Sequence, residues 1–140
     1  KANDRGLVAR LELGGLRVLW VADAGFTTET ALLNRREDLR CDILIRGAHE
    51  TDIHGTSSFL LAAAPSVILS AGSEVLPDLK LPASVKQYAE SKGVPLLLLP
   101  GCGEVSISLP EPDSDHFILK EHPTGKSHVI PLKRPPTVLR

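Results

Sequence analysis

The chain has 140 residues, 42% hydrophobic and 24% charged, with 16 basic against 17 acidic side chains and a mean hydropathy of +0.03. That is the composition of one ordinary globular domain, and its near balance of charge excludes a strongly basic nucleic-acid module and an acidic solvating tail. The longest apolar stretch, Phe59 to Leu69, is broken by Pro65 and Ser66 and falls short of the roughly 20 residues that span a bilayer, while the charged start Lys1-Ala2-Asn3-Asp4-Arg5 leads into no signal-like apolar run.

None of the 11 prolines precedes Pro65, so the first part of the chain reads as uninterrupted elements. Leu7, Ala9, Leu11 and Leu13 alternate with Val8, Arg10 and Glu12, the two-residue period of a half-buried strand. Gly14-Gly15 supplies the two positive-φ positions of a tight turn, and Leu16 to Ala22 returns as a more apolar strand. Thr28 to about Asp38 reads as a helix capped by Thr27 or Thr28, with Glu29 in its first turn. Asp42 to Ile45 is a short buried strand, Ser58 to Ala64 a short helix stopped by Pro65, and Val67 to Leu69 another strand. A helix follows from Pro82 or Ala83 to Lys92, where proline suits the first turn and Gly93 the left-handed C′ position. Leu96 to Leu99, Glu104 to Leu109 and His116 to Lys120 complete the strands, and the segment from Pro123 on is expected to drape over the surface or fray. Alternating helices and strands opened by an antiparallel hairpin predict an α/β fold, a mixed β-sheet with flanking helices.

Asp23 ends an apolar strand directly before a small-residue turn, where α/β sheets present ligand-binding groups. It is either a metal ligand or a cap for the following helix, and the local sequence favours capping or turn formation. His49 and His54 share one loop with Glu50, Thr51 and Asp52, the densest collection of candidate ligands for zinc or manganese in the chain; a polar surface loop is the competing reading. His116, His122 and His128 fall six apart, which matches neither helical nor strand periodicity, and read as unrelated surface residues. Arg35, Arg36 and Arg40 form a modest basic cluster on a solvated face. Cys41 and Cys102 have no CxxC spacing and read as small buried hydrophobes. No GxSxG elbow, GxGxxG or Walker A pattern is present, which argues against a serine hydrolase or a nucleotide-binding fold.

The order of these features resembles the C-terminal half of a metallo-β-lactamase-fold domain of the ComEC type, from the channel protein of bacterial DNA uptake. Gly6 to Gly15, then Leu19-Trp20-Val21-Ala22-Asp23-Ala24-Gly25 and Glu29-Thr30-Ala31-Leu32-Leu33, is similar to the hairpin, the Gly-Asp turn and the following helix of such domains. Asp42-Ile43-Leu44-Ile45-Arg46-Gly47-Ala48-His49 stands where they carry a strand and a paired histidine, and Phe59-Leu60, Pro65, Ser70-Ala71-Gly72 and Gly93-Val94-Pro95 follow in order. The resemblance covers about Asn3 to Leu109.

It implies a layered metallo-β-lactamase-like sandwich over residues 1–122, with 123–140 as a proline-rich tail. Asp23 then matches the aspartate that bridges two metal ions and His49 the second of the paired histidines, with Glu50 and His54 as weaker candidates. The cofactor would be zinc or manganese, held only if upstream residues complete the site, and the activity metal-dependent phosphodiester hydrolysis on incoming DNA. The implied partners are DNA, the upstream half of the same domain and a membrane channel domain, with this piece on the extracytoplasmic side of a bacterial cell membrane. The chain departs from the pattern at Ala48, Glu50 and Thr51, where the family has His, Gly and Ser, and at Leu81, where it has a histidine. The HxHxDH loop of the first half is not in this sequence. A catalytically degenerate module that steers DNA or packs against the channel is therefore the alternative, and a hydrolase of this superfamily unrelated to competence is a third reading.

Overall fold

The computed structural model describes residues 7–47, 54–71 and 81–133. Strand β1 (Ala9–Leu13) and strand β2 (Leu16–Ala22) form the expected antiparallel hairpin. Its turn requires glycine, since Gly14 and Gly15 sit at φ 53° and 86°. Helix α1 (Phe26–Asn34) leads to β3 (Ile43–Arg46), α2 (Ser57–Ala63) to β4 (Val67–Ser70), and α3 (Ala83–Lys92) to β5 (Leu96–Leu98). Strands β2 to β5 run parallel in the order β1-β2-β3-β4-β5. Parallel neighbours need a crossover, and the helices supply it.

The apolar strands bury both faces, as a parallel sheet demands. On one face Leu19, Val21, Leu44 and Ile68 pack with Phe59, Leu60 and Ala63 of α2 and Val85 of α3. On the other, Leu16, Val18, Ile43, Val67, Leu69 and Leu97 pack with Phe117, Leu119 and Ile130. These last belong to a second sheet reached through a one-turn helix, α4 (Leu99–Cys102), and built from β6 (Glu104–Ser108), β7 (His116–His122) and β8 (Ser127–Pro131), all antiparallel. The fold is α/β: helices, a mixed five-stranded sheet and a three-stranded sheet in three layers.

Four local expectations change. Helix α1 starts at Phe26 with Gly25 as a cap that offers no side chain, so Thr27 and Thr28 lie inside the first turn, and it ends at Asn34 because Arg36 enters the left-handed region at φ 54°. Helix α2 has the side-chain cap that the sequence reading missed, with Thr56 Oγ1 accepting from the Phe59 N–H at 3.3 Å. Leu99 opens α4 instead of ending a strand. Within the segment after Pro123, Ser127–Pro131 is a strand that pairs with β7 and contributes Ile130 to the core, while residues 134–140 lie outside the described residues. By contrast α3 and its Gly93 cap at φ 63° are as expected.

Beside this apolar core a buried carboxylate ties the two sheets together. Asp42, fully buried just before β3, accepts from the Arg17 N–H of β2 at 2.8 Å and from the Lys133 N–H after β8 at 2.9 Å. Its own N–H donates to the Arg17 carbonyl at 2.8 Å, and its carbonyl accepts from Ser66 and Val67 at the start of β4. The Arg17 guanidinium lies 3.8 Å from the carboxylate and donates to the Lys133 carbonyl at 3.0 Å, while the Lys133 ammonium bonds the Ala64 carbonyl. Beside it the Cys41 thiol is buried and pushed up to about 12, first by loss of solvent and then by the Asp42 charge, so it stays a neutral packing group.

Deleting this acceptor removes the partner of two backbone N–H groups, those of Arg17 and Lys133. Asp42→Ala is expected to cost about 3 to 5 kcal/mol in urea unfolding; a loss below about 1 kcal/mol would contradict the assignment.

Candidate functional site

The carboxyl ends of the parallel strands form a rim, and Asp23 stands on it directly after β2. The pairing of β2 with β3 slips between Trp20 and Ala22, and Ala22 takes φ 45°, a left-handed conformation that costs a non-glycine residue about 1 kcal/mol or more. The bend is held by two bonds, the Gly47 N–H donating to the Ala22 carbonyl at 2.6 Å and the Ala24 N–H to the Val21 carbonyl at 2.9 Å.

This bend lays the Asp23 carboxylate over Gly47 at the end of β3. A Cβ at position 47 would sit 1.9 Å from Asp23 Oδ1 and 2.9 Å from the Ala22 carbonyl oxygen, so the approach exists only because residue 47 is glycine. Asp23 is exposed and makes no hydrogen bond or ion pair among the described residues, and α1 is capped by Gly25 without a side chain. Of the two structural roles favoured for Asp23, capping is corrected, since Gly25 caps the helix, and turn formation is as expected, since Asp23 lies inside the turn closed by the Ala24 N–H and the Val21 carbonyl.

Beneath the rim, on the helix side of the sheet, lies a buried polar layer that sequence reasoning did not identify. Glu29 is expected in the first turn of α1 and is there, but it is buried, and its two oxygens accept from the Gly55 N–H at 2.5 Å and the Thr56 N–H at 2.9 Å. It thus anchors the loop end that enters α2. His54, adjoining this anchor, is buried, and Ser84 of α3 donates to the Gly55 carbonyl at 2.6 Å. Arg46 and Ser70 are register partners at the ends of β3 and β4 and both are buried. Loss of solvent pushes the Arg46 guanidinium down to about 10, partly countered by the Glu29 charge, and its Nη2 has no hydrogen-bond partner among the described residues. The signal for this layer was a charged residue closing the apolar run Ile43-Leu44-Ile45.

His49 and Glu50 lie outside the described residues. Of the sequence candidates the structure therefore places Asp23, exposed at the rim, and His54, buried by the α2 entrance. Among the described residues no three His, Cys, Asp or Glu side chains gather as a metal-holding group. A catalytic zinc takes about three protein ligands, so the described residues do not by themselves fit zinc or manganese; Asp23 offers one donor. Leu81, where the resembled family has a histidine, packs against the helix-side core.

The other candidates are separate. His116 pairs with Asp115 at 2.8 Å, His122 with Ser106 at 3.0 Å and His128 with the buried Glu121 at 2.8 Å, three different environments in the second sheet. Arg40 is engaged by Asp38 at 2.7 Å, and that bond holds the Asp38 carboxyl well below the usual carboxylate range. Cys41 is buried as expected, whereas Cys102 is half-buried. A groove of about 710 Å³ runs between the hairpin and α1, walled by Val8, Arg10, Leu19, Leu32, Arg35 and Asp38 and not by Asp23. No helix is long and apolar enough to cross a membrane among the described residues.

Compared with protein-family models, curated proteins and solved structures, the chain matches none.

The Gly47 approach can be tested directly. Gly47→Ala is expected to cost about 1 to 3 kcal/mol in thermal unfolding, and adding Asp23→Gly should recover part of that loss. An unchanged melting temperature in the single variant would contradict the contact.

Proposed function

We propose that the chain is the C-terminal half of a metallo-β-lactamase-type domain in a ComEC-like DNA-uptake protein, and that Asp23 is its contribution to a metal-dependent phosphodiester hydrolase site. The observation that carries this reading is the Asp23 carboxylate itself, unengaged and set over Gly47 by a strained bend. Backbone strain next to an unpaired acid is the arrangement found where a side chain must be presented to a ligand. The order of elements supports it too, since Asp23 and the chain leading to His49 leave neighbouring parallel strands at the same end.

In this reading His49, and Glu50 or His54, together with residues of the upstream half, supply the remaining donors for zinc or manganese. A metal so held would polarise a phosphodiester of incoming DNA when bound. The role of this chain's own residues is positioning: Gly47 leaves space for the carboxylate, and Glu29 fixes the loop end at Gly55 and Thr56. The membrane channel domain, and with it the extracytoplasmic placement at a bacterial membrane, belongs to the same proposal.

One observation favours the second reading, a catalytically degenerate module that steers DNA or packs against the channel. Leu81 takes the place of a family histidine and is used for core packing instead. A competence-unrelated hydrolase of the same superfamily differs from both in its substrate.

The deciding experiment is metal content, by elemental analysis, of the protein that includes the upstream half, alongside Asp23→Asn. The hydrolase reading expects bound zinc or manganese that falls at least about tenfold in affinity in the variant. Nil metal in the parent leaves the degenerate module, and metal unchanged by Asp23→Asn overturns the role of Asp23.

A further inference from the structure

The helix-side face of the five-stranded sheet ends in polar groups. Leu44 and Ile68 belong to the apolar core on that face, and Arg46 and Ser70, two residues further along β3 and β4, share the face and are register partners. Both stand at the carboxyl ends of parallel strands, where open α/β sheets bind ligands. Both are buried, Arg46 at 4% exposed and Ser70 at 6%.

Arg46 lacks what a buried cation ordinarily has. A guanidinium offers only donors, and burial lowers this one to about 10, so it is still charged at neutral pH. Buried charges in proteins are paired or bound to an ion. Here Nη2 has no hydrogen-bond partner, and no carboxylate stands within ion-pair distance among the described residues. Glu29 is the acid whose charge reaches Arg46, but its two oxygens are engaged by the Gly55 and Thr56 N–H groups at 2.5 and 2.9 Å. An unsatisfied buried donor in a native fold calls for an explanation, and binding an ion is one.

The position limits what such a partner can be. The helix-side face is closed by this chain's own α1, α2 and α3, through Leu32, Leu33, Phe59, Leu60 and Val85. A second domain or a second copy can lie against the other face or an edge, but not between this sheet and its helices. The partner is therefore small, and it enters at the strand ends, where Gly47 and Ala71 are half-buried. Its charge is negative. A planar guanidinium pairs with oxyanions through two parallel N–H bonds. A carboxylate uses both oxygens on that fork, whereas a phosphate group keeps further oxygens for the Ser70 hydroxyl.

We propose that Arg46 and Ser70 form an anion site at the carboxyl ends of β3 and β4 that takes a phosphate group. The site is separate from Asp23, whose carboxylate lies over Gly47 on the face of Ile43 and Ile45, the opposite side of β3. It uses no metal, so it does not rest on the hydrolase reading. Free phosphate and a nucleic-acid backbone both carry the group it recognises.

The test is thermal unfolding of the purified protein titrated with inorganic phosphate, with a chelator present and chloride at matched ionic strength as the control. Wild type is expected to gain melting temperature with phosphate and not with chloride, because a ligand that binds only the folded state stabilises it by mass action. Arg46→Gln should weaken phosphate binding by about tenfold or more, and Ser70→Ala by about fivefold. Circular dichroism establishes that each variant is folded; where Arg46→Gln is not, Arg46→Met takes its place with the same expectation. Oligothymidylate added to the phosphate complex separates the two sources. Displacement of phosphate assigns the site to a nucleic-acid backbone, and phosphate that stays bound assigns it to the free ion. A wild type that phosphate does not stabilise beyond chloride overturns the proposal, and so does stabilisation that the Arg46 variant leaves undiminished.

Discussion

The structure depends on one buried carboxylate. Asp42 sits where β2, β3, β4 and the end of β8 come together, and it is satisfied mainly by backbone N–H groups: Arg17 and Lys133 donate to its two oxygens, while its own backbone joins Arg17, Ser66 and Val67. Backbone donors cannot rotate away as long side chains do, so their geometry is fixed with the strands. Around a fully buried carboxylate each such bond is electrostatically strong, and each unmade one is expensive. A single acid thus fixes the relative position of β2 and β3 and binds the three-stranded sheet to the five-stranded one.

The consequence is felt at the opposite end of the same strands. Once the start of β3 is fixed against β2, the slip between Trp20 and Ala22 has to be absorbed at the rim, and it is absorbed in the left-handed Ala22. That residue turns Asp23 over Gly47. The helix layer reinforces the arrangement from below, since Glu29 of α1 holds the entrance of α2 through two N–H groups. Buried Arg46 lacks a carboxylate within ion-pair distance among the described residues, although Glu29 contributes to its surroundings. The candidate site is therefore a rim built by the sheet itself, and Asp23 is the one acid there with no structural task among the described residues.

Much of this was legible in the sequence because it is written in local chemistry. The Gly14-Gly15 turn and the Pro82 to Gly93 helix each have a short-range cause and are where they were expected; the alternation of Leu7 to Leu13 does give a strand, Ala9–Leu13, but its leucines are exposed and not half-buried. What was not legible depends on contacts between distant residues. Glu29 looks like an ordinary first-turn acid, yet its partners lie 26 and 27 residues further on. Asp42 looks like a strand opener until Lys133, 91 residues away, is brought to it. The composition of the segment after Pro123 suggested a surface tail, because proline and charge dominate it, but the alternation of His128 and Ile130 is enough for a strand once β7 lies alongside. At the candidate site the position of Asp23 was legible and its freedom was not, since that followed from where α1 begins. His49 and Glu50 fall outside the described residues and rest on the sequence alone.

The most direct test of the central claim, that Asp42 binds the two sheets into one body, is native-state hydrogen exchange at the Lys133 amide. If the bond to Asp42 is as described, that amide exchanges only with global unfolding, at the rate of core amides such as those of Leu44 and Ile68. Exchange at the rate of a free chain would mean that the end of β8 opens independently, and the account of how the sheets are joined would be wrong.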